Sequence, residues 1–330
     1  NTELKQKNIV ELELKGNTGI FRNFVANLDK ISKANSRVFI TGSSGSGKTT
    51  AAKYIHQNSR QAGGNFIAVD CSTSNQNELE RFLFGFEDSS GLQEVGALEK
   101  ANGGSIYLDK ISELPMDLQS KLLKVLLENC ITRLGSNKKV SVVLRFISAT
   151  NSEILERVKN KSFREDLFQR LSVVPIKVPN LRDRVDDIPI LAKYFVEQLS
   201  LANDLAYREF TDEALTFLQS MNWPGNIRQL RNMIERVLIL GESSDKIKVE
   251  ELMSFEPKSQ DKDDKINLIP SELANMSLRE AREIFERDYL ILQINRFGGN
   301  ISKTAAFVEM ERSALHRKLK SLGINSGQKN

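Results

Sequence analysis

Cysteine is scarce. Cys71 and Cys130 are the only two in 330 residues, far apart and without partners at metal-ligand spacing. That pattern excludes a disulfide framework and a thiolate zinc site, and it fits reduced thiols in a cytosolic protein. Histidine is equally scarce. His56 and His316 are isolated, and neither is assigned to a metal. No apolar run approaches the about 18 residues that a membrane span needs, so no membrane partner is expected. No signal peptide opens the chain, and no internal repeat is visible. Nor is there a large charge excess: the formal net charge is +4, which permits nucleic-acid binding and leaves the decision to how charge is distributed. The first residue is Asn1 rather than Met, so an N-terminal portion is expected to be missing.

What is present is organised around one stretch. The apolar run Val38-Phe39-Ile40-Thr41 leads into Gly42-Ser43-Ser44-Gly45-Ser46-Gly47-Lys48-Thr49-Thr50, and a helical pattern follows. This matches the full phosphate-loop template. The glycines let backbone N–H groups converge on phosphate oxygens without a Cβ in the way. The following helix adds its N-terminal dipole. Lys48 reaches the β- and γ-phosphates, and Thr49 offers a hydroxyl to Mg²⁺.

Around this loop, strand-like runs alternate with helical ones. Strands are predicted at 37–41, 66–70, 105–109, 142–148 and 173–178, and helices at 16–34, 49–59, 78–84, 115–129 and 152–158. The alternation predicts an α/β unit with a parallel sheet covered on both faces. Ligands of such sheets sit at the carboxyl ends of the strands. From about residue 186 the strands stop, and helices are predicted at 188–201, 211–221 and 226–240, with Trp223-Pro224-Gly225-Asn226 as turn and N-cap. Residues 256–270 are charged and aperiodic, as a linker is. The remainder reads as all-α: a long amphipathic helix over 278–296, a break at Gly298-Gly299, and two short helices over 301–307 and 312–322.

The strand Ile106-Tyr107-Leu108-Asp109 ends in an acid placed to hold Mg²⁺ through water. In hydrolysing enzymes of this type the next residue is usually an acid that polarises the attacking water. Here it is Lys110, and a fixed cation is no general base near pH 7 unless its pKa falls by several units.

These words, with Leu83-Phe84-Gly85, Gly103-Gly104-Ser105, Phe163-Arg164-Glu165-Asp166-Leu167-Phe168-Gln169-Arg170-Leu171, Asp187-Ile188-Pro189 and Trp223-Pro224-Gly225-Asn226-Ile227-Arg228-Gln229-Leu230, resemble the AAA+ domain of the NtrC family, the sigma-54-dependent enhancer-binding proteins. The C-terminal segment resembles the family's Fis-type helix-turn-helix. The runs from Leu278 to Arg287 and from Met310 to Leu319 are similar to one branch of response regulators in two-component systems. There a phosphoacceptor receiver domain, through which a cognate sensor kinase acts, precedes the segment that begins here at Asn1. The resemblance implies an AAA+ α/β subdomain over 13–181, a helical lid over 182–255, a linker over 256–275 and a Fis-type domain over 276–330, with residues 1–12 as a linker remnant. It places Arg164 and Arg170 as arginine fingers that reach the neighbouring subunit's γ-phosphate, a task suited to a planar, permanent cation. It makes Arg228 the lid's sensor arginine, and puts Thr150 and Asn151 at the first sensor position after the fourth strand.

Three departures stand out. The family's Gly-Ala-Phe-Thr-Gly-Ala loop, which touches sigma-54, is missing; Phe86 leads to Ala97 by a shorter stretch with no Phe-Thr pair. Lys110 replaces the catalytic acid. Asp70 ends the second strand where the family commonly has an Asn that pairs with that acid. Asp70 and Lys110 are therefore expected to form an altered catalytic pair, a salt bridge in a partly buried cleft beside the γ-phosphate. The alternative is that Lys110 points to solvent and Glu113 or another acid does the catalysis.

At the DNA end, basic residues concentrate in the last helix. Arg312 starts it, and Ser313, His316, Arg317 and Lys320 share a face by three/four spacing, while Leu315, Leu319 and Leu322 fall on the other. A recognition helix needs that division. Asn300, Ser302 and Thr304 of the preceding helix are expected near the phosphates. The long helix over 278–296 is expected to supply a dimer interface.

The expected whole is a bacterial, cytoplasmic transcriptional regulator that binds ATP or ADP with Mg²⁺, hydrolyses it weakly or not at all, and binds double-stranded operator DNA as a dimer or higher oligomer. Without the contact loop it is not expected to activate sigma-54; RNA polymerase remains a partner. The competing expectation is a working ATPase that remodels polymerase or another protein.

Overall fold

The computed structural model describes residues 13–322, apart from 74, 89–91, 152–153, 204, 242–245, 255–281, 283–285, 288, 292, 295–300 and 309 and the side chains of 303 and 306. The expected linkers, Asn300 and much of the expected 278–296 helix therefore lie outside the described residues. The chain divides into two compact units, 1–256 and 257–330.

In the first unit the apolar runs become a five-stranded, wholly parallel sheet. Its strands are β1 (Val38–Thr41), β2 (Phe66–Asp70), β5 (Ser105–Asp109), β8 (Arg145–Thr150) and β9 (Val174–Lys177), in the order β2-β5-β8-β1-β9. Alternation across the pleat sends Phe39, Val69, Ile106, Leu108 and Phe146 to one face. There they pack on α3 (Gln76–Phe84), α5 (Met116–Glu128) and α7 (Glu165–Leu171) through Leu79, Leu83, Leu118, Leu122 and Leu167. Val38, Ile40, Tyr107, Ile147 and Ala149 go to the other face. They meet α1 (Gly19–Lys33) and α2 (Lys48–Gln57) through Phe21, Leu28, Ala51 and Ile55. Both faces are covered, which is why β1 and β5 read as continuous apolar runs rather than alternating ones. Each buried Leu, Ile or Phe contributes roughly 1.5–3 kcal/mol of transfer free energy.

The fourth strand starts later than its pattern predicts. The N–H of Val142 donates to Asn129 O at 2.9 Å and that of Val143 to Asn102 Oδ1 at 2.7 Å, which takes these residues out of the main sheet. They close a small hairpin of β6 (Cys130–Thr132) and β7 (Lys139–Ser141). A second hairpin pairs β3 (Gly85–Glu87) with β4 (Gln93–Val95), in the stretch from Phe86 to Ala97 where the contact loop is expected to be missing. Strands of three residues carry too little alternation to be read from sequence.

The lid follows as α8 (Ile188–Asn203), α9 (Asp212–Ser220), α10 (Asn226–Leu240) and α11 (Val249–Ser254) around a core of Leu191, Phe195, Leu218, Leu230, Ile234 and Val237. The indole N–H of Trp223 donates to Leu218 O at 2.9 Å. One correction concerns Asn226. It does not cap α10 with its side chain. Its φ is +51°, a left-handed value that Asn tolerates, and its buried amide is used elsewhere, as described below.

In the second unit the helices Ile301–Phe307 and Arg312–Ser321 pack through Leu290, Ala305, Leu315 and Leu319. Arg312, Ser313, His316, Arg317 and Lys320 are exposed, and so is Ser302. Lys318 is held by Glu286 at 2.5 Å. Thr304 departs from expectation: it is fully buried, so its side chain faces the small core and not a phosphate. Among the described residues no helix is long and apolar enough to cross a membrane.

His56 lies buried on α2, its Nδ1 2.9 Å from Ser105 Oγ. Burial pushes its pKa below the ordinary value, against a Gly64 backbone hydrogen bond that raises it. The unfolded imidazole therefore binds its proton first as pH falls. Stability should drop from about pH 6.5 down to the lowered folded value, by at most about 1.4 kcal/mol per pH unit for one proton. Thermal denaturation of the parent beside His56→Gln over pH 5 to 8 should show this slope removed in the variant; parallel curves would exclude the effect.

Candidate nucleotide site

The carboxyl ends of the strands, the loop 42–47 and the lid enclose a cleft of about 230 Å³. Gly47 ends the loop at φ +103° and leads straight into α2. Gly45, at φ +72°, lies so close to the lid that a Cβ would stand 2.1 Å from Gly225 O. Ser44 to Thr50 line the cleft, while Gly42 and Ser43 offer their carbonyls to Lys48 Nζ at 2.9 and 3.0 Å. The Ser46 hydroxyl is buried there and has no hydrogen-bond partner. Burial lowers the Lys48 pKa; Asp109 raises it, and the charges of Arg228 and Lys110 lower it further.

Thr49 is exposed to the cleft, and its hydroxyl donates to Tyr107 OH at 3.5 Å, which donates to Asp109 Oδ1 at 3.1 Å. Burial pushes the Tyr107 phenol well above its ordinary pKa, so it stays a donor. A hydroxyl and a carboxylate joined this way suit a hard cation with oxygen ligands. Thr49 and Asp109 would hold Mg²⁺, which when bound would neutralise phosphate charge. The orphaned Ser46 hydroxyl and the glycine cradle fit the phosphates themselves.

The lid is tied to this loop. Asn226 Nδ2 donates to Ser44 O at 3.1 Å, and its Oδ1 accepts from Leu181 N–H at 2.9 Å. The N–H of Arg228 donates to Gly45 O at 3.3 Å, and its Nη1 to Ser44 Oγ at 3.5 Å. Arg231, one turn on, also lines the cleft; its three-residue spacing from Arg228 was the available signal.

A strap closes the far side. Asp187 is fully buried and accepts from Asn17 N–H at 2.6 Å, Thr18 N–H at 2.9 Å and Thr18 Oγ1 at 2.8 Å. Arg184 lies 4.3 Å over the Phe21 ring and 3.9 Å from Asp187. Burial pushes its pKa down to about 10, with Asp187 partly opposing. Glu13, Leu14 and Lys15 thereby become a wall of the cleft. Sequence pattern gave no hint of this strap, because its partners lie 170 residues apart. The lining carries six cations, Lys15, Lys48, Lys110, Arg184, Arg228 and Arg231, against two acids, Glu13 and Asp109, which selects for a polyanion.

Lys110 Nζ is 2.9 Å from Asp70 Oδ2 and 2.9 Å from Ser72 Oγ. Parallel pairing sets Asp70 opposite Asp109 and so puts Lys110 within reach. The pair is more open than a partly buried cleft implies, with side-chain exposures of 37% and 54%. The hydrogen bond to Asp70 raises the Lys110 pKa, outweighing desolvation. Burial pushes the Asp70 carboxyl up, and the bonds from Ser72 and Lys110 outweigh it, leaving it below its ordinary range. Glu113 is engaged with Arg157 at 2.7 Å.

Of the two sensor residues, Asn151 lines the cleft. Thr150 is fully buried, and its hydroxyl donates to Ser112 Oγ at 2.9 Å, so it positions the strand end and does not face a ligand. Arg164 and Arg170 are not among the lining residues. Arg164 grips Asp166 through two bonds of 3.0 and 2.7 Å, and Arg170 is exposed. In place of the contact loop, Glu87 is held by Arg133 at 3.2 Å and Lys138 at 3.0 Å, Arg133 grips Glu99 at 2.7 Å, and Arg81 lies 4.7 Å over the Phe86 ring.

Comparison with known proteins bears on this arrangement. Residues 14–177 match the family described as sigma-54 interaction domain, 182–267 the AAA+ ATPase lid domain, and 281–322 the bacterial regulatory protein, Fis family. The chain is 44% identical to the nitrogen assimilation regulatory protein NtrX of Azorhizobium caulinodans over 315 residues, covering 94% of this chain and 68% of that protein. It is 41% identical to a putative response regulator, NtrX-like, of Rickettsia typhi, over 98% of this chain and 69% of that one. The crystal structure of NtrX from Brucella abortus in complex with ATP superposes with a TM-score of 0.74 at 42% identity, covering 95% of this chain and 70% of that chain. The structure of the same protein with ADP gives 0.73 at 41%, with the same coverage.

The lid-to-loop link can be tested directly. Asn226→Ala leaves Leu181 N–H and Ser44 O without this partner, which should cost about 1–3 kcal/mol of stability. It should also weaken ATP binding severalfold. Urea denaturation and calorimetric titration measure both; an unchanged affinity would mean that the link does not shape the cleft.

Proposed function

The chain belongs to the NtrX-like branch of the NtrC family of response regulators, with an AAA+ domain and a Fis-type DNA-binding domain, and from that premise we propose that it is a nucleotide-gated transcriptional regulator rather than a motor. Its cleft takes ATP or ADP with Mg²⁺ through Lys48, Thr49, Asp109 and Arg228. One observation carries the reading: Lys110, which follows Asp109 where the family's water-polarising acid is expected, lies 2.9 Å from Asp70 and from Ser72. A lysine in place of that acid is no general base near pH 7, so hydrolysis is weak or absent. Nucleotide then acts as a ligand that fixes the lid against the loop.

The missing sigma-54 contact loop points the same way. The hairpin in its place is short and tied down by ion pairs. The regulator occupies operator DNA in the bacterial cytoplasm as a dimer, and it represses or activates the ordinary RNA polymerase. A sensor kinase would act through a receiver domain of the kind that response regulators carry.

A second reading, an active AAA+ ATPase that remodels polymerase or another protein, is favoured by Arg164 and Arg170. Both stand outside their own cleft, as residues that serve a neighbouring subunit in a ring would. Steady-state turnover at high protein concentration separates the two. The parent should bind ATP with negligible turnover, and Lys110→Glu should restore part of it. Brisk turnover by the parent would overturn the gated reading.

The DNA end is tested separately. Arg317→Ala should weaken specific operator binding by about 1–3 kcal/mol, and Lys320→Ala should lower the salt slope by about one. Fluorescence anisotropy over a salt series measures both, and unchanged binding in the two variants would remove this helix from the groove.

A further inference from the structure

We infer that Lys110 is itself a ligand of the third phosphate and makes the cleft prefer a nucleoside triphosphate to a diphosphate. The inference rests on the reading of the cleft as a nucleotide site and goes beyond it. It gives the replaced catalytic position a binding task.

The argument begins with place. Lys110 lines the same cleft as Lys48, Thr49 and Asp109, at the carboxyl end of β5 where the loop delivers phosphates. Its backbone stands at φ +51°, a conformation uncommon for a residue with a Cβ, and this turns the chain directly after Asp109. The next observation is charge. Lys48, Lys110 and Arg228 line one cleft, so their like charges repel. These three cations stand against Asp109 and, for Lys110, the solvent-exposed Asp70. A third phosphate supplies the missing negative charge at that point; a diphosphate leaves it short.

Lys110's present partners do not forbid the exchange. The bond to Asp70 is a solvent-exposed ion pair, which water and salt screen, so it is weak. The four-carbon stem of Lys pivots freely. Asp70 is not orphaned when Lys110 leaves, because its Oδ1 also accepts from Ser72 N–H at 2.9 Å and from Ser72 Oγ at 2.7 Å. The carboxylate thus acts as a parking partner that holds the ammonium beside the cleft until a γ-phosphate competes for it.

The test uses the full chain with Mg²⁺ and calorimetric titration of ADP and of a non-hydrolysable ATP analogue. Lys110→Met should weaken the analogue about tenfold and ADP less than about twofold. Lys110→Arg keeps the charge and should keep most of the preference, which controls for damage to the fold. Asp70→Asn, which frees the ammonium, should raise the preference for the analogue by about threefold. The parent's preference should shrink as salt is added. Equal weakening of both nucleotides by Lys110→Met, or an unchanged ratio, would overturn the inference while leaving the nucleotide site intact. A parent that binds neither nucleotide would overturn the site itself.

Discussion

A parallel sheet delivers the carboxyl ends of all its strands to one edge, and most of the chemistry proposed for the first unit stands on that edge. Thr41 runs into the phosphate loop, Asp70 and Asp109 end neighbouring strands in register, and Thr150 leads to Asn151. The register is not free to slip. Shifting β2 by one residue would exchange Val69, which is buried, for Ala68, which is exposed. The packing of two hydrophobic faces therefore fixes which polar side chains meet. The contact between Asp70 and Lys110 is a consequence of how Ile106 and Leu108 pack.

The same edge concentrates like charge, and the fold tolerates part of it through backbone carbonyls and a ring and not through acids alone. Lys48 lies along the carbonyls of Gly42 and Ser43. Arg184 lies over a phenyl ring and near Asp187, whose carboxylate is largely taken up by the N–H groups and hydroxyl of Asn17 and Thr18. Carbonyls and rings stabilise a cation without cancelling its charge. The positive potential of the cleft is thereby kept for a ligand, whereas extra carboxylates would have neutralised it.

Much of this was legible in the sequence, and the boundary is physical. Gly42 to Thr49 and the strands that end at Asp70 and Asp109 were readable because local spacing determines them. The face division of the last helix was readable for the same reason: Leu315 and Leu319 are buried while His316, Arg317 and Lys320 are exposed. What local pattern could not supply was long-range geometry. Asn226 read as a helix cap, since Asn at a helix start usually is one, yet its amide bridges Ser44 and Leu181. Thr304 and Thr150 read as ligand contacts by association with their neighbours, yet both are fully buried. Asp187, Arg184 and Asn17 gave no signal, because a buried carboxylate that gathers N–H groups from a distant segment follows no periodicity.

The strap and the lid link bear on how a nucleotide could matter without being consumed. Asn226 joins the lid to the loop, and Asp187 joins the lid to the segment that enters from the N-terminal side. A ligand that fills the cleft touches loop, lid and strap at once, so it raises the cost of separating any two of them. Binding free energy then becomes a constraint on the entering segment and on the angle of the lid. That constraint lasts as long as the ligand stays, and a hydrolysing site would release it each turnover. On the proposed reading, a lysine in place of the catalytic acid would suit the first regime, adding affinity for the triphosphate and removing the base that would destroy it.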